Sequence, residues 1–162
     1  MIDHVVYLAL GSNVGHRLAN LKSAITNLPP QMDVKKKSLV YETPPWGYTE
    51  QPPFLNQVVM VKTYMEPEDL LGHLKRLETA LGREPTFQNG PRVIDIDILF
   101  YDDLVLDSPE LTIPHPRMHH RAFVLVPLNN IAPDFIHPVL GKPINELLLD
   151  VDRLNIHEYK GK

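Results

Sequence analysis

The chain has no cysteine, which excludes a disulfide framework, a cysteine-ligated zinc ribbon, a thiol nucleophile and an iron-sulfur site. A reducing cytoplasm suits such a chain, and a cytoplasmic location is expected. No apolar run approaches the ~20 residues of a membrane span. Met1-Ile2-Asp3-His4 does not lead from basic to apolar residues, so no secretory leader is expected either. Positive charge is also short. The formal net charge is -4, whereas nucleic-acid binding needs a surplus of Lys and Arg on one face. The one basic cluster, Lys35-Lys36-Lys37, reads as a solvated strand end. Familiar phosphate and zinc motifs are missing too: Gly11 to Arg17 has neither P-loop nor G-x-G-x-x-G spacing and reads as a turn into a helix, and there is no H-E-x-x-H. Without repeats, linkers or low-complexity segments, one domain over residues 1–162 is expected, with a monomer as its default state.

What is present is an ordinary hydrophobic content of 43% and an unusual sixteen prolines, many in pairs that mark stiff, shaped loops. His4 to Leu10 reads as a strand closed by a turn at Gly11-Ser12-Asn13. Leu18, Leu21, Ala24, Ile25 and Leu28 recur at helical spacing until Pro29-Pro30, predicting a helix over 17–28. Strands follow over 34–43 and 55–63, separated by a proline-bounded loop from Pro44 to Pro53. A second helix starts near Pro67, with acidic residues at its N-terminus and a stripe of Leu70, Leu71, Leu74, Leu77 and Leu81, and ends at Gly82. A further strand spans 93–101. The order β-α-β-β-α-β predicts an α+β, ferredoxin-like fold with two helices on one face of an antiparallel sheet. Beyond Asp102, a short extra strand, a His/Pro turn and helices over 121–130 and 144–149 would cover more of the sheet, giving α/β/α layers.

Chemistry concentrates in the segment Gly90 to Leu99. On a strand Asp95 and Asp97 share a face while Ile94, Ile96 and Ile98 point to the core. Two like charges side by side call for a cation, and magnesium, held by one or two carboxylates together with substrate phosphates, is the natural one. A bare D-x-D also fits a solvated strand face. Arg83, Arg92 and Arg121 add guanidinium groups suited to phosphate oxygens, although each alone also fits a surface salt bridge. His115, in Pro114-His115-Pro116, is a candidate nucleotide contact. The proline-bounded loop carries Trp46, the only tryptophan, and ends in Phe54-Leu55-Asn56. Aromatic faces and an amide suit a flat heterocycle, and anchoring of Trp46 and Phe54 on the core is the alternative. These residues point to a magnesium-dependent phosphoryl-type transfer from a nucleotide. A non-catalytic ferredoxin-like module, or a related transferase with another acceptor, are the competing classes.

Leu10-Gly11-Ser12-Asn13, Tyr41-Glu42-Thr43-Pro44-Pro45, Gln51 to Asn56, Gly90 to Leu99 and Leu111 to Pro116 form an ordered set. Together they resemble the 6-hydroxymethyl-7,8-dihydropterin pyrophosphokinase family, whose signature is Gly-Pro-Arg-x-x-Asp-x-Asp followed by a Pro-His pair. The resemblance implies transfer of diphosphate from ATP to the pterin alcohol, in folate biosynthesis, with two magnesium ions on Asp95 and Asp97. It implies a nucleotide site of Arg83, Arg92 and Arg121 with Glu78, Ile98, Thr112 and His115. For the pterin it implies Thr43, Pro44, Trp46, Phe54, Asn56 and Phe123 beside Asp95, the two phenylalanines stacking on opposite ring faces, with loops 44–53 and 83–91 closing over both substrates. ATP and a small pterin are then the partners, without nucleic acid or membrane. This chain departs from many members at Gln88-Asn89, in place of an Arg-Trp pair, and at Lys75, Glu110 and Pro116.

Overall fold

In the computed structural model, which describes residues 3–161, Met1, Ile2 and Lys162 lie outside the described residues, among them the first two read above for a leader. Along the chain run β1 His4–Ser12, α1 Arg17–Thr26, β2 Met32–Lys37, β3 Tyr41–Thr43, β4 Phe54–Thr63, α2 Pro67–Ala80, β5 Asp95–Tyr101, β6 Leu106–Asp107, β7 Thr112–Ile113, α3 Ala122–Ile131, α4 Ile144–Leu147 and β8 His157–Glu158. The main sheet has the order β5-β1-β4-β3-β8, with β2 also paired to β4. All its pairings are antiparallel. β1, α1, the β2–β3 edge, β4, α2 and β5 therefore make the ferredoxin-like core that the hydrophobic periods predict.

The period of two in β1 divides the interior into two cores. Val6, Leu8 and Leu10 face one side, where they join Leu21 and Ala24 of α1, Leu70 and Leu74 of α2, and Ile94, Ile96 and Ile98. Tyr7 faces the other side with Val58, Leu99 and Phe100, under Val124, Leu125 and Leu128 of α3 and Ile144 and Leu147 of α4. Each fully buried Leu contributes on the order of 2 kcal/mol, so helix-face and strand-face periods specify the same layering. The first turn of α3, with Phe123 and Val124, borders one end of this sheet face. There β1 opposes β5 and β4 in a register that pairs Gly11 with both Asp95 and Asn56, and Ala9 with both Asp97 and Val58. Small residues on the central strand between larger ones on its neighbours leave a hollow.

Several boundaries differ from the sequence expectation. β1 runs on through Gly11 and Ser12, because these residues pair with Asn56 and Leu55 instead of turning. The strand expected over 34–43 is split at Ser38: its hydroxyl accepts the Val58 N–H at 2.9 Å while its own N–H donates to Val58 O at 2.9 Å. α1 stops at Thr26, where Asn27 Nδ2 donates back to Ser23 O at 2.7 Å. The last helix is shorter than 144–149, continuing as a 3-10 turn over Leu148–Asp150. Lys35, Lys36 and Lys37 lie exposed on β2, a solvated edge.

Candidate active site

The hollow is a cavity of about 320 Å³. Its floor is the small-residue row of β1, and Asp95 and Asp97 of β5 stand on one wall. A Cβ on Gly11 would lie 3.7 Å from the Phe54 ring, an ordinary contact, but 3.0 Å from Asn56 Oδ1, so any larger residue would crowd the Asn56 amide across the strand. On that opposite wall Asn56 is buried and its Nδ2 donates to Thr43 Oγ1 at 2.6 Å. Pro44, Phe54, Trp46 and Phe123 complete an aromatic-lined half facing the carboxylates.

Asp95 and Asp97 have unlike environments. Asp95 Oδ1 accepts from Arg83 Nη1 at 2.7 Å, and its Oδ2 lies 3.9 Å from Arg92 Nε. The Asp97 carboxylate has no hydrogen-bond partner among the described residues, although its backbone pairs with β1. Burial first, and then the neighbouring Asp95 charge, push the Asp97 carboxyl up to about 7, against a smaller pull from Lys75. Two carboxylates on one strand face, one of them short of cationic partners, suit a divalent cation.

Three arginines ring this pair, each set by a local device. Gly82, at φ +104°, ends α2 in a conformation that suits glycine. The chain turns so that Arg83 N–H donates to Glu78 O at 3.0 Å and its guanidinium spans Glu78 Oε1, at 3.1 Å, and Asp95. Glu78 is buried and its Oε2 accepts the Ile96 N–H at 2.7 Å, which ties α2 to the strand of the aspartates. Burial raises the Glu78 carboxyl above the usual carboxylate range, offset in part by that hydrogen bond and by Lys75 and Arg83. Arg92 lies over the Phe54 ring at 5.3 Å. Arg121 lies between Trp46, at 4.5 Å, and Phe123, at 5.5 Å. Burial also pulls the Arg121 guanidinium below its ordinary range. The Nε atoms of Arg92 and Arg121 are buried without hydrogen-bond partners, so each cation keeps donor capacity for an anionic ligand.

His115 reaches the same cavity because its N–H donates to Leu99 O at 3.1 Å, laying Pro114-His115-Pro116 along the end of β5. Arg117 N–H donates to His115 Nδ1 at 3.3 Å, leaving Nε2 to carry the proton. Burial, with Arg121 and Arg117 nearby, lowers this imidazole to about 4. His115 is therefore a neutral donor near pH 7.

The structure thus gathers Thr43, Pro44, Trp46, Phe54, Asn56, Arg83, Arg92, Asp95, Asp97, His115, Arg121 and Phe123 around one cavity. Three expected nucleotide residues are not on its wall. Ile98 is 4% exposed and packs its side chain into the α1/α2 core, as its strand parity requires. Thr112 sits on β7 with its hydroxyl 3.5 Å from Asp107 Oδ1. Glu78 borders an adjoining groove between α2 and the 83–91 loop, together with Lys75, Arg83 and Arg92. Trp46 is 42% exposed, so it does not anchor its loop on the core, whereas Phe54 is buried. Cavity residues without an expected pocket role are Ala9, Leu10, Gly11, Gln57, Asn89 and Val124, and Lys75, noted above only as a departure from the family pattern, also lines it. For Lys75 a signal existed, since it precedes Glu78 by one helical turn.

Comparison with known proteins places the chain in a family. Residues 7–133 match the sequence profile of the 7,8-dihydro-6-hydroxymethylpterin-pyrophosphokinase family. A 2-amino-4-hydroxy-6-hydroxymethyldihydropteridine pyrophosphokinase of Aquifex aeolicus is 45% identical over 141 residues, covering 87% of this chain and 88% of that protein. The folic acid synthesis protein FOL1 of Dictyostelium discoideum is 44% identical over 156 residues, 96% of this chain, which spans only 24% of that longer protein. In the solved structure of Plasmodium falciparum HPPK-DHPS with pterin and p-hydroxybenzoate, 98% of this chain superposes on 45% of that one with a TM-score of 0.78 at 19% identity, a likeness of fold. The chain belongs to the 7,8-dihydro-6-hydroxymethylpterin-pyrophosphokinase family.

Proposed function

We propose that the chain transfers the terminal diphosphate of ATP to the hydroxymethyl oxygen of 6-hydroxymethyl-7,8-dihydropterin, as a single cytoplasmic domain acting as a monomer in folate biosynthesis. The pterin oxygen bonds to the β-phosphorus, the bond between that phosphorus and the α,β-bridging oxygen breaks, AMP leaves, and the hydroxyl proton passes to solvent. The observation that carries this reading is the two-sided cavity: paired carboxylates ringed by arginines on one wall, and a buried Asn56–Thr43 amide–hydroxyl pair among aromatic rings on the other.

The Asn56 amide and Thr43 hydroxyl hydrogen-bond the polar edge of the pterin, and Phe54 and Phe123 take its faces. Arg83, Arg92 and Arg121 neutralise the polyphosphate, and His115 donates from Nε2 to a phosphate or ribose oxygen. Glu78 holds Arg83 in place, and Thr112 and Ile98 border the nucleotide through their backbone. Asp95 and Asp97 are the residues that would hold magnesium, two ions in this reading, which supply charge neutralisation at the transferring group. Incubation with ATP, Mg²⁺ and the pterin alcohol should release AMP only when all three are present. Release of ADP instead would overturn the assignment.

A further inference from the structure

Arg17 has no part in the chemistry above, and its place at the start of a helix does not account for it. It opens α1, where the preceding His16 makes no side-chain cap and the first turn holds no acidic residue. A cation there meets the positive end of the helix dipole, which is the unfavourable arrangement. The guanidinium is directed across the sheet instead. Arg17 Nη1 donates to Pro53 O at 3.0 Å and lies 2.8 Å from Glu42 Oε2. The same guanidinium stands over the Tyr159 ring, 5.6 Å from its centre.

Both anchoring points are one residue away from the aromatic wall of the cavity. Pro53 precedes Phe54 and Glu42 precedes Thr43, and Thr43 and Phe54 form the last pair of the β3–β4 ladder. Glu42 lies opposite Leu55 in that ladder, and paired residues share a face. Leu55 belongs to the core under α1 and α2, whereas Thr43, Phe54 and Asn56 line the cavity on the other face. Arg17 therefore supports the wall from behind and is not itself part of the cavity lining. It sits where ladder pairing stops and the chain leaves for loop 44–53, so it cross-links the two strands at the end that needs it. The C-terminal segment completes the arrangement. β8 covers the outer edge of the three-residue β3 by pairing Glu42 with His157, and Tyr159 N–H donates to Val40 O at 2.8 Å. That bond fixes the backbone from which the Tyr159 ring meets Arg17.

We propose that Arg17 is a positioning residue: a brace from α1 onto Glu42 and Pro53, seated on Tyr159, that sets Thr43 and Phe54 and hence the Asn56–Thr43 pair. The brace is a property of the free chain. Its effect on the pterin rests on the proposed function.

Hydrogen-deuterium exchange on the full ligand-free chain tests the brace, using Arg17→Ala and Arg17→Lys. In the Ala variant, amides over 41–43 and 54–56 should exchange about fivefold faster while those of the β1–β5 ladder stay as in wild type. Lys keeps a charge for Glu42 and a donor for Pro53 O, and should return exchange to within about twofold of wild type. Unchanged exchange over 41–43 and 54–56 overturns the proposal, as does a rise shared equally by the β1–β5 ladder or a Lys variant no better than Ala. Should Arg17→Ala not fold, Glu42→Ala, which removes the anchor on β3, takes its place with the same expected pattern. Steady-state kinetics then reads the consequence for the site. Arg17→Ala should raise the pterin KM about fivefold, with kcat and the ATP KM within about twofold, and Arg17→Lys should restore most of the loss. An ATP KM that moves as far as the pterin KM, or an unchanged pterin KM, overturns the positioning role. A wild type in which the exchange pattern holds but no pterin binds refutes the substrate reading and leaves the brace standing.

Discussion

Replacing Asp97 with Asn should abolish turnover and, in the ligand-free chain, raise stability. The Asp97 carboxyl sits at about 7 instead of its ordinary 3.8, chiefly through burial and the Asp95 charge. One pKa unit corresponds to about 1.4 kcal/mol, so ionising this group in the folded chain costs at most about 4 kcal/mol. The cavity is open to water, which screens part of the repulsion and leaves roughly 2 kcal/mol. For a chain of this length that is roughly 4–8 °C in Tm. The sign follows from linkage: between about pH 4 and 7 the native chain binds the Asp97 proton more tightly than the unfolded chain, so wild-type stability falls as pH rises through that window. Asn does not titrate. The variant's advantage should be near zero at about pH 3, below the ordinary carboxyl value, and full at about pH 8, measured by urea unfolding monitored through Trp46. Mg²⁺ with a non-hydrolysable ATP analogue should stabilise wild type and do little for the variant. A variant no more stable at pH 8, or a gap equal at both pH values, would refute the reasoning.

Gly11→Ala should raise the KM for the pterin on the order of tenfold while nucleotide affinity changes little, because the new Cβ meets Asn56 Oδ1 at 3.0 Å and disturbs its bond to Thr43 without touching the carboxylate wall. Steady-state kinetics with each substrate varied in turn would check this, and an unchanged pterin KM would refute it. His115 should titrate near 4 by NMR, below the ordinary 6.5, since burial and two arginines disfavour its cation. In that window the unfolded chain takes up a proton the native chain refuses, so His115 subtracts stability as pH falls from about 6.5 toward 4. A His115 midpoint near 6.5 would show the ring to be solvated.

Features with a local cause could be read from the sequence. Asp95 and Asp97 share a face because a strand repeats every two residues, and α2 starts and stops at Pro67 and Gly82 because those residues suit a first turn and a positive φ. What the sequence hid is what depends on register. Nothing in Leu10-Gly11-Ser12-Asn13 says that Gly11 lies opposite both Asp95 and Asn56, and that coincidence turns an apparent turn into the cavity floor. Gln51 and Asn13 escaped for the same reason: they meet across 38 residues of sequence, through a side-chain hydrogen bond that no motif records. Ile98 shows the two kinds of inference in conflict. Strand parity sends its side chain to the core, whereas family resemblance makes it a nucleotide neighbour, and the side chain follows parity. Both hold at once only if the nucleotide meets Ile98 through its backbone, so exchanging Ile98 for Val should cost stability, about 1 kcal/mol for a lost core methylene, before it costs nucleotide affinity.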